Sequence, residues 1–331
     1  DILIEDLISN DQVVVTISHQ GIIKRTAVQE FQSQRRGGKG SRGSSLRRDD
    51  YIEHLFVSYN LDYLLIFTDH GKCYWLRVFR IPAGGRAARG RSIRNLISIS
   101  ADDRIRAILP ISREDFLSEE YLKSHYVLMA TRRGMLKKTT LWAYRFPRQA
   151  GIIAIVVREG DAVLETCLTD GKGEIILATS AGRANRRSEE QIRAKGRVAM
   201  GVIGIRLGKG EQVIGMVEIS EDTDRTLLTI TANGYGKRTE ISKYPLHLNA
   251  GKGVVTHKIN EKTGVLVALH GVTDTDDLMI ITQNGKLIRQ SVNKISQMTR
   301  YTIGVRTIRL EEDDAIADVT RVVEEEEEST E

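Results

Sequence analysis

The chain reads as all-β, a propeller-like disc of six four-stranded blades, and three observations lead there. A short signature, Ser or Thr, two residues, then Gly, recurs at residues 18–21, 68–71, 131–134, 179–182, 231–234 and 282–285. The glycines lie 50, 63, 48, 52 and 51 residues apart, a period of about 50 with one insertion. Each copy closes a β-branched apolar run, and the units show little of the 3.6-residue periodicity that stacked helical repeats require. Four short strands per period is the strand content of a propeller.

The elements follow in order within each unit. The first strand is the apolar run, at 13–17, 63–67, 126–130, 174–178, 226–230 and 277–281. The signature is then a hairpin turn whose Gly supplies φ > 0, and a second strand leaves it. A glycine-containing basic loop leads into a further strand, as at 201–206, 253–258 and 304–309, and a last apolar stretch closes the unit, as at 104–111, 162–168, 212–219 and 265–272. Blades are therefore expected at roughly 1–60, 61–111, 124–172, 173–222, 223–275 and 276–323, with an insertion at 112–123. That insertion is an acidic surface excursion able to form a short helix, with Ser112 and Asp115 in capping-box spacing. Residues 324–331 begin with five adjacent glutamates that repel one another, which predicts a disordered tail.

Composition narrows the class. At 331 residues and 40% hydrophobic the chain can bury a substantial core, while four prolines and 5% aromatics exclude collagen-like or proline-rich scaffolds. Apolar runs are too short for a bilayer, the first residues lack a basic n-region, and the expectation is a soluble, cytoplasmic protein with no membrane partner. Cys73 and Cys167 stand alone, without the spacing of a zinc site, and no metal is expected. Walker, zincin and nucleophile-elbow motifs are all missing, so no catalytic residue is assigned.

Charge points to a polyanion. Residues 311–331 carry eleven acids and one base, a local −10 against +5 for the whole, so residues 1–310 carry +15. Four residues past each signature glycine stand Arg25, Trp75, Lys138, Arg186, Arg238 and Arg289; one residue earlier stand Lys24, Tyr74, Lys137, Asn185, Lys237 and Ile288. Five bases in six is far above chance for a chain in which Lys and Arg are roughly one residue in seven. Neighbouring strand residues point to opposite sides of a sheet, so the fuller column is expected to face outward along a rim and hold duplex DNA by its phosphates, with Lys24, Arg42, Lys137 and Lys237 also assigned to that DNA-binding rim. Few aromatics argue against single-stranded binding. A propeller-like scaffold for acidic proteins is the alternative from another class.

The sharpest local feature is the run Gln34, Arg35, Arg36, Gly37, Gly38, Lys39, Gly40, followed by Arg42. Its glycines allow backbone amides close to a phosphate while its cations supply charge. Residues 38–43 also fit G-x-G-x-x-G, but no buried strand precedes them and no helix opens after them, so dinucleotide binding is rejected.

That run resembles the seven-residue box that marks the C-terminal domain of the DNA gyrase A protein. Residues 233–239, 130–139 and 201–207 are similar to it as well, and the resemblance covers all six repeats and the acidic tail. It implies a six-bladed β-pinwheel, whose blades exchange strands, that binds and bends duplex DNA in a positive, right-handed wrap, with the box as the wrapping element. The related domain of topoisomerase IV, with a degraded box, is the alternative within the family. Partners implied are the cleavage region of the same polypeptide and the gyrase B protein in an A2B2 bacterial enzyme. The cleavage tyrosine and the ATPase, with ATP and Mg2+, belong to those regions, so this chain is expected to be a non-catalytic module without a cofactor. The acidic tail is expected to compete with DNA for the basic rim.

Overall fold

The signature hydroxyls explain how the chain turns. In the computed structural model, which describes residues 3–30, 50–85, 88–220 and 224–322, all six signature glycines take φ between 74° and 88°. Five of the six signature hydroxyls, Ser18, Thr68, Thr131, Thr231 and Thr282, accept a hydrogen bond from the amide just past the glycine, at 3.1–3.2 Å. Thr179 donates to Glu211. The expected hairpin turn is thus present in each repeat.

Each hairpin forms the middle of a small sheet, with the last apolar strand of the same repeat on one edge. The first sheet runs Ile52–Tyr59, Gln12–Ser18, Ile22–Ala27 and then Arg91–Ser92. The second runs Ile105–Ile111, Tyr63–Thr68, Lys72–Arg77, Ile152–Ile153. The third runs Val163–Thr169, Tyr126–Thr131, Met135–Thr140, Val202–Ile203. The fourth has Val213–Ile219, Glu174–Thr179 and Arg183–Ser188, flanked by both Leu246–His247 and Val254–Val255. The fifth runs Leu266–Val272, Thr226–Thr231, Tyr235–Glu240, Val305–Arg306. Among the described residues the sixth has three strands, Ile316–Val322, Asp277–Thr282 and Leu287–Ser291.

The outermost strand of the first five sheets is only two residues long and comes from the following repeat. A reading that takes four strands from each repeat's own sequence is corrected accordingly: each repeat supplies three strands to its own sheet and, from the second repeat on, donates the fourth to the sheet before it.

The chain divides into two units, residues 1–124 with 140–154, and 125–139 with 155–331. This division follows the donated strand: residues 140–154 leave the third repeat and pair with the second sheet. Inside the second unit, alternate residues of a central strand feed different cores. Ile175 and Leu177 pack with Leu128, Leu136 and Ile205, whereas Ile176 and Ala178 pack with Leu227, Leu266 and Leu269. A sheet buried on both faces needs an unbroken apolar run, and this is why the first strands lack polar alternation. The first unit has its own core, in which Val13, Val15 and Ile17 meet Leu64, Ile66 and Leu76.

The insertion folds as two short helices, Arg113–Leu117 and Glu119–Ser124. Ser112 Oγ accepts from the Asp115 amide at 3.0 Å, the N-cap that its spacing predicted.

Candidate nucleic-acid interface

The donated strand is fixed by close backbone approach. The carbonyls of Gly21, Gly71, Gly134, Gly182 and Gly234 accept amides of Ile93, Ala154, Gly204, Thr256 and Thr307, all from the following repeat, at 2.7–2.9 Å. A Cβ on Gly182 would lie 2.1 Å from the His257 carbonyl oxygen, and one on Gly253 would lie 2.2 Å from that of Ala184. Glycine is required on both sides of this seam, whereas the space around Gly285, whose sheet receives no further strand among the described residues, is open.

The two columns of cations serve that seam. Arg25 donates through Nε to the Ile81 carbonyl at 2.7 Å and through Nη1 to Asn60 at 2.9 Å. Lys138 donates to the Glu189 carbonyl at 3.3 Å, lies 3.6 Å from that residue's carboxylate and stands 4.3 Å over the Tyr126 ring. Arg186 reaches the carbonyls of Ile241 and Tyr244, and Arg238 that of Ile295 together with Asp274. In each case an acceptor is a carbonyl in or beside the 3-10 turn of the next repeat, so the cation ties its own sheet to that turn. Arg289, on the sixth sheet, pairs with Asp277 on the neighbouring strand and keeps 53% of its side chain exposed.

The earlier column grips the loop before the donated strand. Lys237 is fully buried, and its ammonium donates to the carbonyls of Thr299, Arg300 and Thr302 at 2.8, 2.7 and 3.0 Å. Lys137 donates to the Arg197 carbonyl, Lys24 to those of Gly85 and Ala88, and Asn185 to that of Asn249. Burial pulls Lys137 and Lys237 down to about 7, with Arg197 and Arg300 adding repulsion.

The outward-facing rim column is therefore corrected. Lys137, Lys138, Lys237 and Arg238 are buried, Lys24, Arg25 and Arg186 are half-buried, and all seven are engaged with protein acceptors. A strand's alternation tells which residues share a side and is silent on whether that side meets water or the next repeat's loop. Gln34, Arg35, Arg36, Gly37, Gly38, Lys39, Gly40 and Arg42, like the acidic tail, lie outside the described residues.

The exposed cations stand elsewhere, on the segments that carry and follow the donated strands. They include Arg89, Arg91 and Arg94; Arg148 and Arg158; Arg193, Lys195, Arg206 and Lys209; Lys243, Lys252, Lys258 and Lys262; and Lys294, Arg306 and Arg309. The glycine-containing basic loops were visible in the sequence. Their cations vary in position from repeat to repeat while the buried ones keep register, so alignment on the hairpin brings out only the buried set.

Comparison with known proteins places this architecture. The family model described as DNA gyrase C-terminal domain, beta-propeller, matches residues 12–58, 62–112, 125–165, 173–220, 225–272 and 276–322, one segment per sheet. The DNA gyrase A protein of Salmonella typhimurium is 41% identical over 98% of this chain, and that of Haemophilus influenzae 38% over 100%. The chain spans 36% and 40% of those relatives' lengths. Among solved structures, the C-terminal domain of DNA topoisomerase IV superposes with a TM-score of 0.83 at 25% identity, covering 96% of this chain and 94% of that one. The DNA gyrase A C-terminal domain gives 0.66 at 22%, covering 95% and 100%. With six sheets, five of them completed by the following repeat, and a family match to every one, the chain belongs to the DNA gyrase C-terminal domain family and has that family's six-bladed β-propeller fold.

Proposed function

We propose that this chain is the DNA-wrapping module of a bacterial gyrase A protein, binding duplex DNA without base readout and bending it in a right-handed wrap. The observation that carries the reading is the family match to all six repeats. The +15 of residues 1–310 and the recurrence of exposed Arg and Lys on the donated-strand segments support it, since these segments offer cations to the phosphates repeat after repeat. Arg289 remains among the proposed contacts, and the glycine-rich box at 34–40 with Arg42 is proposed to capture the stretch of DNA that commits the wrap.

In this proposal the chain supplies no catalytic group and holds no cofactor. Cleavage and ATP hydrolysis, with Mg2+, take place in the remainder of the gyrase A polypeptide and in the gyrase B protein of an A2B2 enzyme acting on the cytoplasmic chromosome. Among the described residues no helix is long and apolar enough to cross a membrane. The 38–41% identity to gyrase A proteins favours gyrase over topoisomerase IV, whose C-terminal domain shares the fold.

Ligation of nicked plasmid in the presence of increasing amounts of the chain, followed by removal of protein, tests the wrap. The expected result is a progressive positive shift in linking number. Binding without any shift would reduce the chain to a passive DNA-binding surface.

A further inference from the structure

Four loops that lead into donated strands share an arrangement that neither the fold nor phosphate binding explains. In three, a cationic side chain is followed directly by a large apolar one standing in solvent, Arg145 and Phe146, Arg197 and Val198, and Arg300 and Tyr301; in the fourth, Leu248 follows His247 at the end of the short strand Leu246–His247. Phe146, Val198, Leu248 and Tyr301 are 67%, 67%, 73% and 65% exposed. Isolated exposed apolar residues are ordinary on a protein surface. Four that stand four to six residues ahead of a donated strand, in successive repeats, are a pattern.

The loop backbones show why these side chains stay out. Lys237 takes the carbonyls of Thr299, Arg300 and Thr302 from inside, which leaves Tyr301 outermost. Lys137 holds the carbonyl of Arg197 just before Val198, and Asn185 that of Asn249 just after Leu248. The buried donors thus anchor the backbone beside three of the four tips, and a tip anchored in this way cannot fold its apolar side chain back onto the core. Two of the tips are flat rings beside a guanidinium, with Arg145 4.4 Å from the Phe146 centroid and Arg300 4.9 Å from that of Tyr301.

Side chains that recur once per repeat fit a ligand that itself repeats. Given the DNA-binding reading above, on which this inference rests, that ligand is the duplex. An apolar wedge flanked by a cation matches the minor groove, where the cation meets concentrated negative potential and the wedge meets the stacked edges of a base step. We propose that Phe146, Val198, Leu248 and Tyr301 are wedges that enter the minor groove and partly unstack one base step each, so that the wrap is a series of kinks rather than a smooth arc. Val198, the shortest, penetrates least. The cost of unstacking is offset by the additional phosphate contacts that bent DNA makes.

The test compares the chain with the variant Phe146→Ala, Val198→Ala, Leu248→Ala, Tyr301→Ala on a linear mixed-sequence duplex of about 150 bp, one persistence length. Permanganate, which oxidises unstacked thymines, reads the kinks, and plasmid ligation reads the wrap. All four sites are exposed, so thermal unfolding of the variant should match the parent. The expected result is several-fold enhanced thymine reactivity at discrete positions with the parent chain, lost in the variant. The variant's linking-number shift should fall, while the salt dependence of its binding is unchanged because its phosphate contacts remain. A parent chain that binds and wraps DNA with no reactive thymines overturns the wedges and leaves the wrapping reading standing, as does equal reactivity with both proteins. Failure of the parent chain to bind the duplex at all overturns both readings.

Discussion

Lys237 and His257 lie beneath the same loop, and the histidine's two nitrogens have opposite jobs. Its Nε2 donates to the Ile303 carbonyl at 2.8 Å, and its Nδ1 lies 2.9 Å from the Thr229 hydroxyl, from which the neutral ring accepts. Burial and the nearby Lys237 ammonium push this histidine down to about 4, against a smaller pull upward from the Ile303 carbonyl. Between pH 6.5 and 4 the unfolded chain therefore binds a proton that the folded one refuses, so stability falls on acidification through that window, by about 3 kcal/mol in total. Denaturant titrations at pH 7 and pH 4.5 should show this loss in the parent chain and a smaller one in His257→Gln, whose amide can keep both hydrogen bonds. Reading the sequence residue by residue recovers the glycine conformations, the Ser112 cap and the periodic cations. It misdirects the cations, because charge suggests solvent while these lysines and arginines have carbonyls to satisfy.

At the scale of elements, strands of five to eight residues are legible because their apolar runs are longer than chance. For a donated strand such as Val254–Val255 the strand itself is legible at 253–258 but the sheet it joins is not: two residues have no periodicity, and their partner is fixed by a neighbouring repeat. The glycine before it is the one visible mark. Gly253 has φ +74°, and its Cβ would collide with the Ala184 carbonyl, so Gly253→Ala must detach the strand or shift the hairpin. The substitution should cost at least about 2 kcal/mol, since positive-φ strain and steric clash combine. Hydrogen exchange would locate the damage, with lost protection centred on the donated strand and Arg183–Ser188 and little change in the first unit.

For the molecule as a whole, the +15 of residues 1–310 sets the expected scale of DNA binding. If the exposed cations neutralise about six to ten phosphates, log Kobs should fall with log salt at a slope of roughly −5 to −9. Titrations across a salt series measure that slope, and a value near −2 would be too few contacts to hold a continuous wrap. Total charge, repeat number and sheet class were all readable before any coordinates. Which cations face outward was not, since that depends on where each following repeat lays its loop.

Strand donation also orders events during synthesis. Ile23 waits for Arg91, Lys72 for Ile153 and Gly236 for Val305, so on the ribosome each of these sheets keeps a bare edge until much of the next repeat has emerged. A chain growing from its N-terminus thus always has one unfinished sheet at its leading end. A stalled or truncated product would present that edge as a template for aggregation, which makes the pace of translation across each repeat part of how this domain reaches its fold.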